Sequence, residues 1–169
     1  MRVTDDFVFF YTGNDIYSNH YRSTMVIPKY PKLQFYTVEH YMMFAKAVLF
    51  KDIPTAKLIL AATHPVEAKK LGRGISGFVE SEWVANRESI VTTGVFYKME
   101  ACQDIKIEAI RHRVAGRRFV EASKRDAIWG VGLDEDDPVI NIESNWRGLN
   151  LLGKCWDKAI DLTLLGEIP

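Results

Sequence analysis

The sequence predicts an α+β fold: a mainly α-helical single domain, residues 1–169, with a small β-sheet. Its length suits one domain with a core of its own. Its composition, 47% hydrophobic and 26% charged, is that of an ordinary globular protein. Cap and stop signals of helices recur along most of the chain, and over residues 38–49 apolar residues follow at the helical spacings of three and four. Only a few short runs have the character of strands.

The first half of the chain is predicted to hold one strand and three helices. The aromatic run Phe7 to Tyr11 indicates a strand, and residues 12–32 show no regular period. Thr37 is a typical N-cap for a helix over about 38–50, where apolar residues follow at spacings of three and four. Asp52 and Pro54 open a second helix to about Ala62, and a third runs from Pro65 to Gly72.

The second half repeats these signals. The patterns predict helices over 80–102 (weakened by Gly94), 104–115 and 149–165, a strand over 118–122, a second strand over 139–142, and an acidic loop at 134–138.

Charge and cysteine content narrow the classes of function. The 22 basic and 22 acidic residues give a net charge of zero, whereas a duplex-binding module is usually basic. The two cysteines form no CxxC motif, so we expect reduced thiols. The first residues turn acidic where a signal peptide would turn apolar, and no apolar run could cross a membrane. We therefore expect a cytoplasmic protein with no membrane partner.

One phosphate-binding motif is a false match. The stretch Gly72 to Gly77 fits GxGxxG, but the dinucleotide fingerprint must follow a strand, and the residues before Gly72 are charged and helical. We interpret it as the end of a helix followed by a loop. An alternative keeps Arg73 alone as an anion ligand, presented on a glycine-rich turn.

Two groups of residues have the types that carry chemistry. Glu39 stands in the first turn of its helix, where an acid also complements the helix dipole, and it shares a stripe with Met43 and Lys46. The segment from Asp126 to Gly132 combines a carboxylate, Trp129 and two glycines, so it is either a tight turn or the lining of a site. The four histidines have no metal-ligand spacing, and we predict no metal site.

Taken together and in order, these segments resemble the NADAR family, also called YbiA-like. The resemblance rests on six ordered pieces: Phe9–Tyr11 with Tyr17–Tyr21 (FY…SNF in the family), Thr37–Tyr41 with Ala45–Lys46 (T-x-E-H-Y…K), Pro65 with Ala68–Arg73 (P…AK-x-LGR), Trp83 with Arg87 (W-x-x-x-K/R), Glu121 with Asp126 and Trp129–Gly132 (E…D-x-x-W-G-x-G), and Asn150–Gly153 (N-x-LG).

The resemblance implies an N-glycosidase that cuts a bond between ribose and nitrogen. One branch acts on ribosylaminopyrimidine intermediates of riboflavin synthesis, and another removes ADP-ribose from guanine in DNA. Cleavage builds positive charge on the ribose, which a carboxylate can stabilise. The implied partners are a nucleotide-like small molecule and, for the second branch, ADP-ribosylated DNA, with no cofactor and no metal. The implied site residues are Glu39 (main carboxylate), Asp126 (second acid or ribose ligand), Trp83 and Trp129 (stacking), Arg73 and Lys46 (phosphate), and Asn19 and Asn150 (ribose hydroxyls or base edge).

Several positions depart from the family pattern. Met43 stands where the riboflavin-type branch has Gln, and Lys124 lies in a region where a Trp is often found. Val131 replaces an acid after Trp-Gly, and the last helix lacks the closing Arg. These changes favour an ADP-ribose-type substrate over the riboflavin intermediate. A binding module that senses ADP-ribose or NAD without cleaving it stays an alternative, as does a purely structural role.

Overall fold

The computed structural model describes all 169 residues and confirms the α+β fold, with six α-helices and one three-stranded sheet. The elements are β1 (Arg2–Val3), β2 (Phe7–Phe10), α1 (Val38–Leu49), α2 (Ile53–Ala61), α3 (Pro65–Arg73), α4 (Glu80–Ala101), α5 (Gln103–Val114), β3 (Arg118–Glu121), a 3₁₀ helix (Glu143–Asn145) and α6 (Leu151–Leu165).

The chain divides into two compact units. The sheet unit comprises residues 1–18 and 103–169, and the helical unit comprises residues 19–102. The boundary at 102–103 falls between α4 and α5, so each helix belongs wholly to one unit. The single-domain organisation stays a prediction, and we describe each unit by itself.

The sheet unit is built on β2, which lies between β1 and β3. It pairs antiparallel with β1 and parallel with β3, with Phe7 opposite Arg118 and Phe10 opposite Glu121. All four residues of β2 are buried, because both faces of this strand are covered. One covering cluster comprises Phe7, Phe9, Val120, Ala122, Val131, Leu133, Ile140 and the partly buried Trp146.

A second set of aromatic rings packs around Tyr17 in the same unit. The ring centroids of Phe119 and Trp156 lie 4.8 and 5.0 Å from that of Tyr17. The indole of Trp156 donates a hydrogen bond to the Tyr17 carbonyl at 2.8 Å. These edge-to-face contacts, together with the hydrogen-bonded indole N–H, stabilise the packing of α6 against the parallel strand pair.

In the helical unit, α1 packs against α2, α3 and α4, and most of its residues are buried. Gly94 of α4 allows one of these contacts. A Cβ at that position would stand 2.9 Å from Cδ1 of Tyr41 and 3.0 Å from Cγ1 of Val38. The glycine that seemed to weaken the predicted helix therefore lets two helices approach closely, and α4 runs through it unbroken.

The structure corrects two predicted features and adds one. Residues 139–142 form turns, not a strand, because Asp137 accepts a hydrogen bond from the Val139 N–H at 3.1 Å and holds the backbone in a turn. Helix α3 passes through Gly72 and is capped by Gly74. The two-residue strand β1 was not predicted.

Both cysteines are free thiols. None of the helices has the length and apolar character needed to cross a membrane.

Candidate functional site

Helix α1 begins with a well-defined cap that places Glu39. The Thr37 hydroxyl accepts a hydrogen bond from the His40 N–H at 3.0 Å. The Glu39 N–H donates to the carbonyl of Asn19 at 2.9 Å, which fixes the start of the helix against the preceding segment. The Glu39 residue is only 3% exposed. A carboxylate at this depth needs compensating partners, and it differs in this from an ordinary solvated acid at a helix end.

His40 fixes the same turn of helix from its other side. Its Nδ1 accepts a hydrogen bond from the Tyr36 N–H at 3.2 Å, and its Nε2 lies 2.7 Å from the Ile59 carbonyl oxygen. This pair of contacts requires the neutral ring with its proton on Nε2. Burial lowers the pKa of His40, although the Ile59 carbonyl opposes that effect. His40 is therefore a structural neighbour that orients the helix carrying Glu39.

A second histidine faces the Glu39 carboxylate. Nε2 of His20 lies 3.7 Å from Oε2 of Glu39, and the His20 side chain is 29% exposed. Burial lowers the pKa of His20, and the nearby positive charges of Lys69 and His64 lower it further. His20 was not among the predicted site residues, because no local pattern places it beside a residue nineteen positions later.

Lys46 lies two helical turns after Glu39, and the structure surrounds its ammonium group with two rings. Nζ donates to the Gly72 carbonyl at 3.1 Å and lies 4.5 Å from the ring centre of Phe78 and 5.4 Å from that of Trp83. Burial lowers the pKa of Lys46, while the negative charges of Glu80 and Glu39 oppose that effect. The result is a partly desolvated ammonium group held against two aromatic rings, whose other N–H groups can donate to an anionic group. Phe78 was missed by the sequence analysis.

Three further predicted residues belong to the helical unit. Trp83, near the start of α4, is buried, and its ring faces Lys46. Arg73 is exposed at the last residue of α3. Asn19 is 6% exposed, and its side-chain oxygen is buried without a hydrogen-bond partner. A buried acceptor in this state is costly unless something donates to it, which makes it a candidate ligand for a hydroxyl or amino group.

The other three predicted residues lie in the sheet unit, at the loop before α6. Oδ1 of Asp126 accepts hydrogen bonds from the N–H groups of Ile128 and Trp129 at 2.9 and 2.8 Å. These bonds make an Asx turn, the simpler of the two interpretations that the sequence left open. Trp129 is half-buried within that turn. Their predicted roles in chemistry stay predictions.

Asn150 has both ends of its amide bound to β3. Oδ1 accepts from the Glu121 N–H at 3.1 Å and Nδ2 donates to the Phe119 carbonyl at 2.9 Å. Its backbone is left-handed, with φ of 52°, a conformation that asparagine tolerates better than most residues. This geometry supports a role in joining α6 to β3, and substrate binding by Asn150 stays a prediction.

The comparisons agree with this fold. The NADAR domain model matches residues 9–160, which span both units. The chain is 34% identical to Protein irg-1 of Caenorhabditis elegans over 92% of this chain and 79% of that protein. It is 31% identical to an N-glycosidase of Acanthamoeba polyphaga mimivirus over 89% of this chain and 92% of that protein. The NMR structure of Escherichia coli YbiA matches with a TM-score of 0.75, covering 98% of this chain and 89% of that one, at 21% identity.

Proposed function

The chain belongs to the NADAR domain family, and from that premise we propose that it is an N-glycosidase that removes ADP-ribose from guanine in DNA or cleaves a related N-glycoside of ADP-ribose. Its enzyme class is that of a hydrolase, in line with relatives named N-glycosidases. The substrate is the part of the proposal that needs a direct test.

The observation that carries the proposal is the buried carboxylate of Glu39 beside a partly exposed imidazole. Cleavage of a ribose–nitrogen bond builds positive charge on the sugar ring. A carboxylate in a poorly solvated place interacts with that charge more strongly than one in water. Glu39 is 3% exposed, and its position is held by the Asn19 carbonyl and the Thr37 cap.

The surroundings of Glu39 provide groups for the rest of a nucleotide-like substrate. Lys46 presents a cation two turns along the same helix, and Arg73 presents a second at the end of α3. Two cations suit the charge of a phosphate or diphosphate, and the arginine can bind it through two parallel hydrogen bonds. The buried oxygen of Asn19 suits a ribose hydroxyl.

Met43 is one of the departures from the family pattern that favour an ADP-ribose-type substrate. Its side chain is buried and packs against Gly72, where a Cβ would come 2.1 Å from the methionine sulfur. A thioether is a weak hydrogen-bond acceptor and donates none, so it cannot replace the glutamine of the riboflavin-type branch as a polar ligand.

The test is an incubation read by mass spectrometry. The protein is incubated with a DNA oligonucleotide that is ADP-ribosylated on guanine. In a separate reaction it is incubated with the ribosylaminopyrimidine phosphate of riboflavin synthesis. We expect release of ADP-ribose from the first substrate by the parent chain and a loss of at least about 100-fold in Glu39→Gln. Glu67→Gln is the matched control, because Glu67 also lies in the first turn of a helix but is exposed.

Each result has a distinct meaning. Release of only the free pyrimidine would move the protein to the metabolite-clearing branch. Full activity in Glu39→Gln would remove Glu39 from the mechanism. No product from either substrate, with a raised melting temperature in the presence of ADP-ribose, would favour a binding module.

A further inference from the structure

We propose that His20 is a proton relay for Glu39, carrying to solvent the proton that Glu39 takes from the attacking water. The inference rests on the proposed function and gives Glu39 a second task there, which is to take a proton from the attacking water. It adds a residue that the sequence analysis did not include among the site residues.

The position of His20 suits a proton relay, because the imidazole lies near Glu39 and also reaches solvent. Nε2 of His20 lies 3.7 Å from Oε2 of Glu39, within the range of an ion pair once the imidazole is protonated. Glu39 is buried, whereas the His20 side chain is 29% exposed, so the imidazole can exchange protons with solvent where the carboxylate exchanges them slowly. Asn19, the residue before His20, accepts a hydrogen bond from the Glu39 N–H through its backbone carbonyl. This bond keeps the side chains of His20 and Glu39 close to each other.

The electrostatic environment favours release of the proton. The charged and titratable groups near His20 include Glu39 on α1, Lys69 on α3 and His64, the residue that caps α3. The Glu39 carboxylate lies close enough to pair with a protonated ring, while burial, Lys69 and His64 lower the pKa of His20. These effects favour the neutral imidazole, the form that can accept a proton, and they also favour release of that proton to solvent.

The step balances as a hydrolysis. The water oxygen bonds to the anomeric carbon as the carbon–nitrogen bond breaks, and the electron pair of that bond stays on the leaving nitrogen. One water proton passes to Glu39 and then to Nε2 of His20, and the other remains on the new hydroxyl. His20 releases its proton to solvent, and the leaving nitrogen takes up one proton from solvent.

The experiment compares the parent chain with His20→Gln and His20→Ala on the substrate that the parent cleaves, from pH 5 to 9. We expect kcat of both variants to fall about 10- to 100-fold with KM changed by less than about twofold, as loss of a proton-transfer group predicts. In the parent, kcat should decline toward acid pH, with its midpoint below the ordinary pKa of an imidazole, because a protonated imidazole cannot accept a proton. That decline should be absent from both variants. Imidazole added to the buffer should restore kcat of His20→Ala.

Other variants separate this proposal from the proposed function. Lys69→Gln should move the acid decline of the parent toward higher pH, because it removes a positive charge that faces His20. Imidazole should not rescue Glu39→Gln. If the parent is active and Glu39→Gln is not, parental kcat and an unchanged pH profile in folded His20→Gln would overturn the relay alone. A parent that cleaves no N-glycoside would instead overturn the proposed function.

Discussion

Glu39 and His40 are neighbours in the first turn of α1, and their side chains serve different purposes. Both ring nitrogens of His40 contact backbone groups, the Tyr36 N–H and the Ile59 carbonyl, which leaves the imidazole no free nitrogen for a substrate. The Glu39 carboxylate faces His20. A motif of two adjacent polar residues thus pairs a group suited to chemistry with a group that fixes its position, as a preorganised site requires.

Gly72 and Met43 form a pair whose volumes must match. A Cβ on Gly72 would stand 2.1 Å from Sδ and 2.9 Å from Cγ of Met43. We expect Gly72→Ala to lower the free energy of unfolding by about 1–3 kcal/mol, because the buried methionine must leave its place. In a Met43→Ala background the same change should cost less than about 0.5 kcal/mol, since the clashing atoms are gone. Denaturant unfolding of the four proteins measures both values.

Gly74→Ala is the control for this cycle. A Cβ at Gly74 would meet only the Leu71 carbonyl oxygen, at the ordinary contact distance of 3.6 Å. We expect a change within about 0.5 kcal/mol there. Equal losses from Gly72→Ala in the parent and in the Met43→Ala background would show that backbone conformation, not volume, selects the glycine.

Among the elements, the segment after α3 is held by one carboxylate from another helix. Asp52 caps α2 by accepting the Thr55 N–H at 3.1 Å, and its second oxygen accepts the Ser76 N–H at 2.8 Å. The segment so fixed leads to Phe78, one of the two rings around Lys46. The cap of one helix therefore also positions part of the candidate site.

The bond to Asp52 should make this part of the structure sensitive to acid. The hydrogen bonds from Ser76 and Thr55 hold the pKa of Asp52 at about 2, below its ordinary value of 3.8. A lowered pKa stabilises the fold above about pH 4, and the stabilisation is lost as the pH falls from there toward 2. We expect the melting temperature of Asp52→Asn to lie below that of the parent at pH 7. The two melting temperatures should approach each other near pH 2.5.

Asp104→Asn is the matched control, because Asp104 is an exposed acid in the first turn of α5. Its effect on melting temperature at pH 7 should be much smaller than that of Asp52→Asn. A gap between the parent and Asp52→Asn that stays the same from pH 7 to pH 2.5 would contradict an origin in the carboxylate charge.

The helices were predictable because their signals are local. Thr37 and Asp52 act within three residues of their helix starts, so reading the sequence suffices to find them. The prediction of a strand over 139–142 was wrong because its apolar residues lie in a turn that a hydrogen bond to Asp137 fixes. The pairing of β2 with β3 joins residues more than a hundred positions apart, and no local pattern encodes it.

The same distinction explains which parts of the candidate site the sequence revealed. Glu39 and Lys46 share one helix, so their stripe was visible as a spacing of seven. His20 and Phe78 reach this helix from irregular segments, and their approach depends on tertiary packing. Asn150 shows what a motif alone does not reveal, because its amide binds the backbone of β3 at both ends, and its role in substrate binding stays a prediction.

For the molecule as a whole, the net charge and the state of its arginines limit how strongly it can bind the DNA backbone. The net charge is zero, and three of the four arginines between positions 111 and 118 form hydrogen bonds within the sheet unit. Arg113 binds Asp161 through two bonds of 2.8 Å, and Arg118 binds Glu143 through bonds of 3.0 and 2.8 Å. Nε of Arg117 donates to the Thr4 carbonyl at 2.7 Å. Few of these cations are available to replace counterions along a phosphate backbone.

An ADP-ribosylated oligonucleotide should therefore be recognised mainly through its modified base. We expect log(kcat/KM) on a single-stranded oligonucleotide to fall with log salt concentration at a slope no steeper than about −1.4, equivalent to two phosphate contacts at about 0.7 each. ADP-ribosylated guanosine, which lacks the DNA backbone, is the matched substrate, and the difference between the two slopes isolates backbone contacts. A difference as steep as about −3 would mean that at least four phosphates are bound. In that case the arginine pairs of the sheet unit must open to bind DNA, and Arg113→Gln should reduce the slope by about 0.7.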